Sequence, residues 1–310
     1  MEGTPLMIGV LLMAYGGPDN IDEVEPYLLD VRGYRPTSQE IIHEVRERYR
    51  EIGGRSPILE RTREQAQALE AALNTQGEQF KAFVGMRHWN PRIEQALKEM
   101  YAQGITKTVG LVMAPHYSRM SVGAYNKKVQ EAESGVDFAL IEHWHLLPGY
   151  LDALVDLINK ALERFHAEIR SQVPIIFSAH SLPERILEWG DPYPDELQAT
   201  VNALAKQLGP NPYEFAFQSA AISSDPWLGP DVGMAIDRLA GEGCKNVLIV
   251  PIGFICEHVE ILYDVDIVYK RQAEALGMHL ERIDMPNTSP KMINGLAQLV
   301  RKTAKEQNWL

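Results

Sequence analysis

The sequence predicts an α/β protein whose two similar halves each form a mostly parallel sheet flanked by helices. Two observations lead there. Apolar runs of strand length alternate with helical segments along the 310 residues. The order of segments in the first half recurs in the second.

Taken in order, "IGVLLMAY" reads as the first strand. "TSQEIIHEVRERYREIGG" reads as a helix with a capping box at Thr37 and Glu40 and a stop at Gly53, and "ERTREQAQALEAALN" as a second strong helix former. "KAFVGM" is the next strand. Asn90 and Pro91 start the helix "PRIEQALKEMYAQ", Gly104 ends it, and the strand "TVGLVMAP" follows. The second half supplies strand "VPIIFSAH", helix "YPDELQATVNALAKQLG", strand "EFAFQSA", helix "PDVGMAIDRLAGEG" and strand "NVLIVPIG". "LLMAYGGP" aligns with "IIFSAHSLP", and "TVGLVMAP" with "NVLIVPIG". These matches place one domain at 1–150 and a second at 151–310.

Composition narrows the function classes. The net charge of −12 and the absence of a block of Lys and Arg argue against a nucleic-acid partner. The longest apolar runs, such as "VLIVPIGFI", are broken by Pro and Gly and fall short of the ~20 residues of a membrane-spanning helix. The apolar N-terminal stretch has neither a basic leader nor a small-residue cleavage site, so a cytoplasmic protein is expected. Only two cysteines, Cys244 and Cys256, are present. They cannot ligate an ordinary four-thiolate iron–sulfur cluster and read as small core residues.

The chemistry concentrates where strands end. In the alignment of the halves, Tyr15 and His180 occupy one place, the carboxyl end of the first strand, each three residues before a proline. Open α/β sheets bind ligands at that end. Two such domains facing each other would offer a phenol from one wall and an imidazole from the other to a flat ligand. In "GFICEHVEILYDVDIVYK", Glu257, Glu260 and Asp264 fall at i, i+3 and i+7 and would share one α-helical face. A solvated acidic stripe explains that row; so does a divalent cation such as ferrous iron beside His180. "CEHVE" lacks the paired histidines of a zinc protease, "SAHSLP" lacks the glycines of a nucleophile elbow, and "AYGGPDN" lacks the spacing and Lys of a P-loop.

With "MAYGGP", "IGGRSPI", "VGMRHWNP", "APHYS", "SAHSLPE", "GDPYPDEL", "DPWLGPD", "VPIGF", "HVEILYDVDI" and "MPN" in order, the chain resembles the ferrochelatases, which insert ferrous iron into a porphyrin. The resemblance implies two Rossmann-like domains about a porphyrin cleft. It assigns His180 and Glu260 to the metal site as the catalytic pair. Arg32, Arg48, Tyr49, Ser56 and Tyr125 become porphyrin contacts, and Tyr15, as in the Gram-positive enzymes acting on coproporphyrin III, an axial contact to iron. It further implies Fe2+ as substrate, no permanently bound cofactor, coprohaem as product and a downstream enzyme that accepts it. The chain ends at "KEQNWL" without the cysteine-bearing extension of animal enzymes, so no cluster is expected.

The residue types suit that chemistry. A neutral imidazole, with an ordinary pKa of ~6.5, can bind metal or accept a pyrrole proton, and Glu260 can complete the metal site or take the second proton. Guanidinium groups at Arg32 and Arg48 can hold propionates bidentately, although a local Glu partner accounts equally for either arginine. Two features depart from the family pattern: "CEH" replaces "SDH", and Val268 stands where the acidic row often continues. A second metal site is therefore expected to be weak or absent, its row stopping at Asp264 or drawing on Asp266. Protoporphyrin IX as substrate, a sirohydrochlorin-type chelatase and a non-catalytic porphyrin carrier are the rival readings.

Overall fold

The computed structural model describes residues 7–77, 79–220 and 225–310. They divide into two compact units, the first running to Gly149 and resuming at Asn287–Leu310, the second spanning Tyr150–Pro286.

In the first unit, β1 (Ile8–Ala14), β2 (Phe80–Met86), β3 (Lys107–Val112) and β4 (Asp137–Ile141) form an all-parallel sheet of order β2-β1-β3-β4. Every residue of β1 is buried, which is why its sequence is apolar without alternation. Up to residue 149 the helices of this unit are α1 (Val24–Val31), α2 (Gln39–Glu51), α3 (Ile58–Leu73), α4 (Ile93–Ala102) and α5 (Val122–Glu131). Leu11, Met13 and Phe83 pack with Leu97, Met100 and Val122 in one core between sheet and helices.

The second unit repeats the plan with β5 (Ile175–His180), β6 (Tyr213–Gln218), β7 (Asn246–Pro251) and β8 (His279–Arg282) in the order β6-β5-β7-β8, again all parallel. Here α6 (Pro148–Leu162), which opens at the changeover between units, is followed by α7 (Arg185–Glu188), α8 (Tyr193–Ala205), α9 (Val232–Gly241) and α10 (Lys270–Ala275). A π-helix, Glu260–Tyr269, runs directly into α10. The shared strand order is what the inferred duplication requires. No helix among the described residues is long and apolar enough to cross a membrane.

Three sequence expectations shift. Ser38, not Thr37, caps α2, its Oγ accepting from the Ile41 N–H at 3.4 Å, while Thr37 Oγ1 donates to Arg35 O. Pro91 does not open α4. The Met86 N–H donates to Pro91 O at 2.7 Å, which holds that residue against the end of β2, and the helix starts at Ile93 after Arg92. The second domain does not extend to 310, because α11 (Pro290–Glu306) belongs to the first unit. Its apolar stripe of Met292, Ile293, Leu296, Val300 and Ala304 is buried, and it packs on α3. Arg301 Nη2 donates to Ala72 O at 2.9 Å and Leu73 O at 2.6 Å, the last carbonyls of α3. An amphipathic helix states that one face needs cover, not which unit supplies it.

Candidate active site

In the sheet of the second unit the chain leaves β5 for β6 on one side and later returns to β7 on the other. The crevice between the carboxyl ends of β5 and β7 is therefore the topological switch point, where such sheets bind ligands. His180 is the last residue of β5. The chain leaving β7 crosses that strand end at Gly253, whose N–H donates to Ser178 O. A Cβ there would lie 2.8 Å from Ala179 Cβ, so only glycine allows the crossing. The crossing brings Glu260 to His180: Nδ1 and Oε2 are 2.9 Å apart, and each side chain keeps about one third of its surface exposed (33% and 31%). Burial works to lower the His180 pKa, but the Glu260 charge and hydrogen bond, with Asp264 behind, override it and raise the pKa above the ordinary value.

Both partners are held by their backbones. The Tyr193 hydroxyl donates to His180 O at 2.9 Å. Gln218 Nε2 donates to Glu260 O at 3.1 Å, and Ser178 Oγ donates to Gln218 Oε1 at 2.8 Å; both residues are fully buried. His258 Nδ1 accepts from the Glu260 N–H at 3.2 Å, and burial lowers the His258 pKa despite the nearby carboxylates. The bond fixes Nδ1 as the unprotonated nitrogen of His258. Trp227 meets the His180 ring edge-on at 6.3 Å between centroids.

The acidic row differs from the α-helical expectation. Glu257 lies before the helix, and Glu260 and Asp264 stand four apart in the wider turns of a π-helix, whose bonds run i→i+5. Asp264 accepts from the Ser219 hydroxyl. Asp266 does not extend the row. Arg282 takes it in a fork, Nε to Oδ1 at 2.7 Å and Nη2 to Oδ2 at 2.8 Å. Val268 is exposed. Of the expected row, Glu260 and Asp264 are left beside the imidazole.

The first unit presents the corresponding strand end. Tyr15 follows β1 and is 39% exposed, and Gly16 turns the chain with a φ of +93° that other residues rarely adopt. Behind this turn the Tyr27 hydroxyl donates to Gly16 O, and the Ser56 N–H to Pro18 O at 2.9 Å. Tyr49, Ser56 and Tyr125 are all buried; burial drives the Tyr125 hydroxyl pKa well above its usual value. Arg48 Nη2 bonds Glu44 Oε1 at 2.5 Å one turn earlier, the local pairing foreseen for it. Arg32 caps the end of α1, half-buried, its Nε covered and without a hydrogen-bond partner among the described residues.

Sequence reasoning did not single out several residues that build these sites. Tyr193 and Gln218 sit inside quoted motifs, but their targets are main-chain carbonyls, which leave no residue-type signature. Asp30, which bonds His88 Nδ1 at 2.8 Å and Arg92 Nη1 at 2.7 Å, carried no signal at all.

The structure resembles SirB from Bacillus subtilis solved with Fe3+, with a TM-score of 0.60 at 11% identity and 98% of each chain covered. It also resembles CbiX, the terminal enzyme of sirohaem biosynthesis in denitrifying bacteria, with a TM-score of 0.55 at 12% identity over 95% of this chain and 98% of that one. At such identities these matches show a chelatase-type fold alone. Sequence similarity is far stronger. The chain is 43% identical over 296 residues to a ferrochelatase of Herpetosiphon aurantiacus, covering 94% of this chain and 97% of that protein. It is 38% identical over 301 residues to the coproporphyrin III ferrochelatase of Bacillus subtilis, covering 95% and 97%. The family model described as Ferrochelatase matches residues 7–304. A strand-end imidazole bonded to a carboxylate, set in this fold and within a match of that length, makes the chain a member of the ferrochelatase family.

Proposed function

We propose that the chain inserts Fe2+ into coproporphyrin III, releasing two protons and forming coprohaem, with His180 and Glu260 as the catalytic pair. The observation that carries this reading is the 2.9 Å pairing of His180 with Glu260 at the switch point of the second sheet. Inserting a divalent ion requires a donor to present the metal and bases to take the inner N–H protons. A neutral imidazole does either, and an adjacent carboxylate stabilises the cation in both cases. The iron is a substrate, and no permanently bound cofactor enters the scheme. A downstream enzyme would accept the product.

Coproporphyrin carries four propionates where protoporphyrin IX carries two. Arg32 and Arg48 would hold the extra charge. Giving up the exposed Glu44 pair costs Arg48 only ~0.5 kcal/mol, so a propionate can displace it. Tyr49, Ser56 and Tyr125 would contact the porphyrin, and Tyr15 would contact the iron. The relatives named as coproporphyrin III ferrochelatases at 38–39% identity favour the same substrate.

Anaerobic iron insertion into the two porphyrins, followed in one spectrometer, tests the assignment. The expected kcat/KM is roughly tenfold or more in favour of coproporphyrin III, about what one additional charge-assisted contact supplies. Equal or reversed preference would replace the substrate by protoporphyrin IX. Binding of both porphyrins with insertion into neither would leave a porphyrin carrier.

A further inference from the structure

Beside the exposed Tyr15 lies a set of charged and aromatic side chains that the scheme above does not use. Past the ends of β1 and β2 the parallel ladder continues, with the Arg87 N–H donating to Ala14 O and the His88 N–H to Tyr15 O, each at 2.9 Å. This register places His88 next to Tyr15. Their ring centroids are 4.6 Å apart at an interplanar angle of 50°. Arg87 reaches the Tyr15 ring, its Cζ 5.8 Å from the centroid, and also the Tyr125 ring at 5.6 Å, while its Nη1 donates to Met120 O at 3.1 Å. The guanidinium is thus pinned by the segment after β3 and by two aromatic rings.

His88 is held more firmly still. Its side chain and that of Asp30 are each only 11% exposed, and Asp30 divides its two oxygens between His88 Nδ1 at 2.8 Å and Arg92 Nη1 at 2.7 Å. A carboxylate only accepts, so the Nδ1 that faces Asp30 carries a proton. A buried carboxylate with both oxygens engaged fixes the plane of the imidazole, and the imidazole in turn limits the directions open to the exposed phenol.

We propose that His88, oriented by Asp30 and Arg92, forms with Arg87 a clamp of positioning residues that fixes the Tyr15 ring for its contact with the porphyrin-bound iron. This rests on the reading of Tyr15 given above. In this role they act through Tyr15: they restrict the phenol in advance and so reduce what is lost in ordering it when the iron product binds.

Ferric coproporphyrin III, titrated into the full chain and its variants, is the probe, and its affinity and its phenolate-to-iron absorption are the readouts. Tyr15→Phe should remove the absorption and weaken binding. His88→Ala and Asp30→Asn should each weaken binding about fivefold and shift or broaden the absorption, and Arg87→Lys should be milder than Arg87→Ala. In the Tyr15→Phe background the same changes should have no further effect, the non-additivity expected of residues acting through one side chain. If Tyr15→Phe behaves as stated but His88→Ala and Asp30→Asn leave both readouts unchanged, the clamp is overturned and the role of Tyr15 stands. Equal losses in both backgrounds, with a lowered Tm, would make the cluster structural and overturn the clamp as well. An unchanged Tyr15→Phe variant would overturn the iron contact itself and the clamp with it.

Discussion

Replacing His180 with Ala is expected to lower iron insertion by roughly 10³-fold or more while porphyrin binding stays measurable. General acid–base assistance alone supplies about 10²–10⁴, and His180 is also the expected metal donor. A 10³-fold loss corresponds to about 4 kcal/mol of barrier. The substitution removes the ring that Glu260 meets at 2.9 Å, yet disturbs little else, because the Tyr193 anchor on this strand end bonds the His180 main chain and not its side chain. Glu260→Gln should cost a similar amount, and the double variant little more than either alone, since groups acting as a unit are not additive. The raised His180 pKa adds a signature in pH. The protonated imidazole can neither bind metal nor accept a proton, so activity is present above the folded pKa and lost below it. The acid limb of kcat/KM should therefore lie above the ordinary ~6.5 of histidine. An active His180→Ala variant, or loss of porphyrin binding in step with insertion, would sink the assignment.

The two halves differ in how much of their chemistry the sequence exposed. Strands that must be apolar throughout, such as "IGVLLMA" and "NVLIVP", announce themselves, because covering both faces of a parallel sheet leaves no freedom for polar residues. His180 was legible for the complementary reason: an imidazole at the end of a buried apolar run needs an explanation. The pairing with Glu260 spans 80 residues and depends on the glycine crossing after β7, a packing fact that spacing does not encode. The i, i+3, i+7 reading of the acidic row assumed α-helical turns, and the π-helix changed which carboxylates align. Asp266 looked available until Arg282, on β8, folded back to occupy it. The clamp at Tyr15 was hidden for the same reason, since Asp30 and His88 lie 58 residues apart and meet only after β1 and β2 pair in register.

A large loss of stability away from the site is expected at Arg301, and Arg301→Met should lower unfolding free energy by about 3 kcal/mol. The side chain is 9% exposed, and its Nη2 donates to the carbonyls of Ala72 and Leu73 and to Thr75 Oγ1 at the end of α3. Carbonyls in the last turn of a helix have no partner within it, and a cation there is further favoured by the helix dipole. Methionine keeps the length and much of the apolar contact of the stem, so the loss isolates the guanidinium bonds from the packing of α11. A second anchor, Gln65 Nε2 donating to Asn287 O at 3.0 Å, secures the chain just before that helix. If the C-terminal helix is integral to the first unit, Arg301→Met should shift the denaturant midpoint while leaving m unchanged, because the same surface is exposed on unfolding. A reduced m would mean that α11 detaches before the sheet unfolds, and an unchanged midpoint would mean that the carbonyls at the end of α3 find water at no cost. The His180–Glu260 pair lies in the second unit, so kcat/KM at 25 °C should remain near wild type even as the midpoint falls. That separation of stability from activity is what an α11 that completes the core of the first unit, and supplies nothing to the catalytic pair, requires.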